Sequence, residues 1–282
     1  MAPFTFKLCA DDYALSPGVS IGILEALSAG RLTATSVMTN RPLWRSAAGD
    51  LAKFAPKAEI GLHLNLTLGA PLTRMPTFAP YARLPELNRL IKQARRGNLP
   101  EAEIRTEIAA QLDAFEDALG RTPDYVDGHQ HVQILPGIRT WLLEELSHRG
   151  LSGRLWLRDS SDQVRRILSR RSDVPKALAL AFLGRGFAKE ARTKGFSCND
   201  GFAGFSRFDP KADYAADFAR YLKAPGPRHL VMCHPGHVDA DLIANDPVTT
   251  TRERELAFLL SQRFAETLAG ANARLGAWNN EI

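Results

Sequence analysis

What most limits how this chain can fold is its alternation of short apolar runs with longer helical patterns. The apolar runs are Phe4–Ala10, Thr35–Thr39, Glu59–Leu66, Tyr125–His131, Arg154–Arg158, His229–His234 and Arg274–Trp278. Several are almost continuously hydrophobic, as expected of parallel strands covered on both faces. Helical patterns lie between them. One, over Val19–Ala29, follows the start signal Ser16-Pro17. Another, Glu101–Leu119, spaces Ile104, Ile108, Leu112, Phe115 and Leu119 for one buried face, and Leu256–Leu268 repeats the pattern. This alternation predicts an α/β fold with a parallel sheet, and its closed form at 282 residues is an irregular (β/α) TIM-like barrel. Two stretches interrupt it: 70–100, with five prolines, and 159–209, basic and then rich in Gly and Phe. Neither has linker composition, so the expectation is a single domain over 1–282 with two long βα loops.

Composition enters only to exclude. Hydrophobic residues at 45% and charged residues at 24% rule out disorder, collagen-like repeats and a disulfide scaffold. Cys9, Cys198 and Cys233 are odd in number, widely spaced and form no CxxC pair, so they read as reduced thiols in a cytoplasmic protein. The beginning of the chain, MAPFTFKLCADD, lacks the basic and apolar regions of a secretory signal. Apolar stretches such as Lys176–Leu183 fall short of the ~18 residues of a membrane span, so no transmembrane segment is expected. A net charge of +5 is only mildly basic, and no nucleic-acid partner is expected from it. The local basic run Arg165–Arg171 reads as a solvated helix face, or as a contact with an anionic substrate group, membrane or nucleic acid.

Chemistry-bearing residues collect where the apolar runs end. Asp11-Asp12 closes the first run, and ligands bind at strand C-termini in parallel α/β sheets. Adjacent residues on a regular strand face opposite ways, so two carboxylates converge only if the strand has just ended. A metal on one and a free base in the other would relieve their repulsion, and a helix-capping surface turn is the plainer alternative. His63 in EIGLHLNL, with Asn65 on the same face, is either a ligand or a hydrogen-bonded core residue. In Asp127-Gly128-His129-Gln130-His131, the first, third and fifth residues would share one face of an extended strand. That donor set suits Zn²⁺, Ni²⁺ or another borderline ion, unless the segment is a polar edge strand. Gly128 there permits close backbone approach. His234-Pro235-Gly236-His237 follows an apolar run and presents His234 at the rim, as an acid or base near neutral pH or as a bond to the turn backbone. His148 and His229 have no such setting. Phe196, Phe202, Phe205 and Phe208 either line a sugar cleft or pack beneath a loop. No GxxxxGK, HExxH or GxSxG motif is present, and Gly184-Arg185-Gly186 lacks the context of a dinucleotide fingerprint.

The ordered segments ADDYALSPGV, RLTATSVMTN, GLHLNLTLGAPL, RTPDYVDGHQHVQILPGI and VMCHPGH make the chain resemble the YdjC-like carbohydrate deacetylases, from Lys7 to about Asn279. That family includes chitooligosaccharide deacetylases and hopanoid-biosynthesis proteins. The resemblance implies an irregular (β/α) barrel with one divalent metal ion (Zn, Mg or another transition metal) that removes an acetyl group from an N-acetylated sugar or glycolipid. Carried over by motif, Asp12, His63 and His129 are the metal ligands, Asp11 the general base and His234 a second acid/base residue. Where the family's second motif often ends in a further His, this chain has Gln133; His237 is left without a role. His131, Arg158, Asn199 and Asp200 are expected to contact substrate, and relatives imply a homodimer. The chemistry is coherent: an amide needs an activated water, a polarised carbonyl and a protonated leaving nitrogen, here assigned to Asp11, the metal and an imidazolium at His234. A metal-dependent phosphoesterase and a non-catalytic sugar-binding barrel are the alternatives.

Overall fold

The computed structural model describes residues 2–278; the ends of the expected domain, Met1 and 279–282, lie outside them. Nine strands, β1 (Phe4–Tyr13), β2 (Ala34–Val37), β3 (Glu59–Leu64), β4 (Tyr125–Gly128), β5 (Trp156–Leu157), β6 (Ser197–Cys198), β7 (Phe202–Ala203), β8 (His229–Cys233) and β9 (Ala273–Leu275), form one sheet. Its order is β6-β5-β4-β3-β2-β1-β8-β7, with β9 beside β1, and every ladder is parallel. The two ends of this path, β6 and β7, are separated in sequence only by 199–201, so the chain itself draws the sheet round into an irregular barrel. Because the strands are parallel, the ends of β1, β3, β4, β5 and β8 open on one rim. The expected fold class is therefore the observed one.

The continuous hydrophobicity of the runs is explained by their burial: β2, β4 and β8 are buried throughout and β3 along all but its first residue. Helix α1 (Pro17–Ser28) starts where expected, with the Ser16 side chain accepting from the Val19 N–H and Pro17 at the first position. Next come α2 (Trp44–Ala52), α3 (Leu87–Arg96), α4 (Glu101–Leu119) and α5 (Ile138–His148). The α4 bounds coincide with the predicted ones, and Ile104, Ile108, Leu112 and Phe115 are buried.

Elsewhere the structure corrects the sequence reading. The 159–209 stretch is not only loop: it holds α6 (Val164–Arg170), α7 (Val174–Leu183), α8 (Phe187–Thr193) and the short strands β6 and β7. After α9 (Tyr214–Tyr221) and α10 (Ala240–Asn245), the single helix expected over Leu256–Leu268 is two, α11 (Thr250–Leu260) and α12 (Gln262–Ala271). Extended backbone at Ser261 (ψ 162°) separates them, although the apolar spacing runs on across it. Phe196, Phe202 and Phe205 are core residues, and only Phe208 reaches the cavity described below.

Candidate active site

The site is built where strands stop being regular. β1 continues through Asp11 and Asp12 to Tyr13, rather than ending before them, but its register with β2 shifts between Ala10 and Tyr13. Asp12 sits in the left-handed region (φ 72°), an arrangement that costs a non-glycine residue about 1 kcal/mol or more. This irregularity lets two adjacent carboxylates serve one cavity, which a regular pleat forbids. β4 likewise ends at Gly128, so Asp127, His129 and His131 do not share a strand face as expected. A 3-10 turn, His129–Ile134, follows, with Gln130 (φ 52°) and His131 (φ 62°) both left-handed. A Cβ on Gly128 would lie 2.7 Å from Gln133 Oε1 and 3.1 Å from the Gln133 backbone nitrogen, so the turn packs closely against the end of the strand. Gln133 braces it by donating to the Arg158 carbonyl and to Ser160 Oγ, each at 3.0 Å.

Three donors meet here. His129 Nδ1 lies 2.9 Å and His63 Nε2 3.3 Å from Asp12 Oδ1, all three residues are buried, and one ligand atom from each falls within 4.8 Å of the others. His63 Nδ1 is engaged by Asp127 Oδ1 at 2.6 Å, which turns Nε2 toward Asp12. Arg252 of α11 holds the other Asp12 oxygen at 2.7 Å. Burial opposes charge on His63, but Asp127, Asp12 and Asp11 outweigh it and push its pKa up to about 10. The carboxylates around His63 thus favour positive charge at this cluster. One carboxylate and two imidazoles, the second ring nitrogen of one fixed by a carboxylate, are a donor set that fits a divalent ion with positions left for ligands.

Beside it lies a second group of donors, Cys9, Asp11 and Asp127, whose cation is already supplied by the protein. Arg158, fully buried, meets both Asp11 oxygens at 2.6 Å, Asp127 Oδ2 at 2.6 Å and Cys9 Sγ at 3.0 Å. Burial would raise the Asp11 carboxyl, yet Arg158, His63 and His234 together hold it well below the usual range. Arg158 was expected to touch sugar; instead it lies beneath the carboxylates, out of a substrate's reach. Asn199 and Asp200 are corrected similarly. Asn199 is buried and ties the backbone of Asp159 to its own loop, and Asp200 pairs with Arg166 at 2.6 Å, neither lining the cavity.

His234 follows β8 and stands 4.0 Å from Asp11 Oδ2. Burial depresses its pKa to about 4 despite Asp11 and Asp12, so the resting imidazole is neutral. Its turn is fixed twice: its backbone N–H donates to Glu255 at 2.6 Å, and a Cβ on Gly236 would fall 2.9 Å from Val19 Cα in α1. His131 lines the same cavity, edge-on to Phe202 and Phe205. Burial, then Arg158 and Lys176, keep it neutral. Asn65 lies beyond β3 and staples a loop through Asn40 and the Leu68 carbonyl. His229 is a core residue bonded to the Tyr221 carbonyl, and His237 pairs with Glu25 at the surface.

Sequence reasoning missed Arg252, Glu255 and Lys176. The first two sit in the charged start of α11, TTRERE, which looks like an ordinary solvated helix face; only the tertiary fold buries them. The cavity above these groups has a volume of about 340 Å³. Its floor is Asp11, Asp12, His63, His129 and His234, while Leu87, Ile91, Leu180, Leu183, Phe208 and Val248 form an apolar wall.

A parallel (β/α) barrel whose C-terminal rim carries a carboxylate–imidazole cluster beneath a cavity defines the class: a barrel with an enzyme-type site. The model of the YdjC-like protein family matches residues 6–270, and the chain belongs to that family. It is 31% identical over 273 residues to a chitooligosaccharide deacetylase from Citrobacter koseri, covering 95% of this chain and 96% of that protein. A chitooligosaccharide deacetylase from Escherichia fergusonii is 30% identical over the same extent. Among solved structures, a candidate cellobiose-phosphate cleavage protein from Enterococcus faecalis V583 superposes with a TM-score of 0.74 at 22% identity, over 98% of each chain. That likeness is one of fold.

Proposed function

We propose that this protein is a metal-dependent carbohydrate N-deacetylase, and that the convergence of Asp12, His63 and His129 beside the Arg158-clamped Asp11 carries the reading. The relatives named chitooligosaccharide deacetylases support the reaction class. Asp12, His63 and His129 would hold the ion. When bound, a divalent ion supplies a Lewis acid and a lowered pKa for water.

The chain's own residues do the rest. Asp11, kept ionised by Arg158, takes the proton of the attacking water as its oxygen bonds to the acetyl carbon. His234, neutral at rest and 4.0 Å away, receives that proton and delivers it to the nitrogen as the C–N bond breaks, leaving acetate and a free amine. His131 and Lys176 face the cavity, where they orient the acetyl group or a sugar hydroxyl. Arg158 and Arg252 are positioning residues that hold Asp11 and Asp12 in place.

The apolar wall narrows the substrate. An oligosaccharide carries hydroxyls on all sides, and burying one without a partner costs on the order of 1–3 kcal/mol. A glycolipid places its N-acetylated sugar on the polar floor and its aglycone along Leu87, Ile91, Leu180 and Leu183. A phosphoesterase reading is disfavoured because Arg158 fills the place a second metal would need. An acetate-release screen over N-acetylglucosamine oligomers and glycolipids, run with several divalent ions, tests the proposal. Turnover should need an ion, and KM should fall about fourfold per added methylene until the wall is covered. Full activity after metal stripping, or phosphate release from p-nitrophenyl phosphate without acetate release, would overturn it.

A further inference from the structure

We propose that the outer face of α3 and of the α6–α7 pair is a docking surface for an anionic membrane, from which the cavity receives its substrate. The idea rests on the glycolipid reading for its purpose, but on separate observations for its surface. Inward, α3 and α7 form the apolar wall of the cavity. Outward, α7 exposes Pro175 and Phe182 at positions i and i+7, and Phe182 is 66% exposed. On α6, which packs against α7, Val164 and Leu168 are 55% and 52% exposed at i and i+4. Isolated exposed apolar residues are ordinary; a run of them on two packed helices beside a cavity mouth is not.

Charge identifies the partner. Residues 87–96 and 163–189 together contain eleven Lys and Arg and one Asp, against a net charge of +5 for the whole chain. Arg166 and Arg170 turn inward to Asp162, but Arg165, Arg171 and Arg185 are exposed and form no ion pair among the described residues. Arg89, Lys92, Arg95 and Arg96 of α3 are likewise exposed and unpaired among those residues. Basic side chains around a short apolar ridge match a surface with anionic headgroups outside and acyl chains below. A nucleic acid would satisfy the cations but leave Leu168 and Phe182 in water.

Cosedimentation with vesicles tests this directly. The full chain should bind phosphatidylcholine vesicles containing about one-third phosphatidylglycerol, and neither pure phosphatidylcholine nor the anionic vesicles in ~0.5 M salt. The Arg165→Glu/Arg185→Glu variant should bind at least about 25-fold more weakly, at roughly fivefold per basic charge lost. Leu168→Ser/Phe182→Ser should bind several-fold more weakly at equal charge. Both variants should release acetate from a water-soluble N-acetylglucosamine oligomer at the unaltered rate, since none of these side chains lines the cavity. Failure of the unaltered protein to bind anionic vesicles, binding undiminished in both variants, or capture by duplex DNA in preference to vesicles would overturn the proposal. Absence of acetate release by the unaltered protein from oligomer and glycolipid alike would count against the deacetylase reading and leave the vesicle result standing.

Discussion

Asp11 and Asp12 are neighbours in sequence with different surroundings, and an arginine meets each. Arg158 meets both oxygens of Asp11, and Arg252 takes one oxygen of Asp12 while His63 and His129 approach the other. Asp11→Asn keeps the size and loses the proposed base. It should lower kcat by roughly 10²–10⁴-fold while metal content, measured on the purified protein, stays unchanged. His63→Ala should instead lose the metal, since it removes one of three donors. Arg158→Met leaves two buried carboxylates without their cation and should destabilise the fold by about 3–5 kcal/mol in denaturant unfolding. If that variant is as stable as the parent, Arg158 is not the counter-ion of this site.

Among the elements, α11 does more than its sequence announces. Its first turns bring Arg252 to Asp12 and Glu255 to the backbone N–H of His234. Burial, opposed by that N–H and by Arg252, raises the Glu255 carboxyl from 4.5 to about 7. The folded-state value lies above the unfolded one, so the fold favours the protonated form. Its contribution is complete below pH ~4.5 and is lost as pH rises through about 7, a change on the order of 3 kcal/mol. Glu255→Gln mimics the protonated acid and should flatten the fall in stability between pH 4.5 and 8, read as a difference from the parent in unfolding titrations. An unaltered slope would show that Glu255 ionises in the fold as it does in the unfolded chain. The HPGH turn has a second hold besides Glu255: its backbone packs against α1, where a Cβ on Gly236 would fall 2.9 Å from Val19 Cα.

Over the whole molecule, an ion held by Asp12, His63 and His129 would be coupled to the fold, because the three donors come from β1, β3 and the turn after β4, and an unfolded chain does not hold them together. Chelation should therefore lower Tm, and adding the ion back at about 100 times its Kd should restore about 2.7 kcal/mol, measured by thermal unfolding. A Tm indifferent to both treatments would separate the cluster from any resident ion. The same long-range assembly explains why one rim gathers so much charge: five strand ends open onto it, and each buried cation there has a carboxylate contributed by another segment.

Much of this was legible beforehand. Continuous apolar runs mark buried parallel strands because both faces must be covered, and strand–helix alternation leaves few other ways to cover them. Asp11, Asp12, His63, His129 and His234 could be picked out because polar residues at the ends of such runs have no packing reason to be there. What sequence could not supply was direction. The strand-face model for Asp127, His129 and His131 assumed regular backbone, and left-handed residues at Asp12, Gln130 and His131 replaced it. Arg158 looked like a sugar contact because it ends a strand, yet two carboxylates from other strands close over it. Periodicity is local, so the chain by itself determined the barrel and marked Asp11, Asp12, His63, His129 and His234 at its rim. Which charge pairs with which, and which face meets solvent, depends on contacts between segments more than a hundred residues apart, and only the tertiary structure decided them.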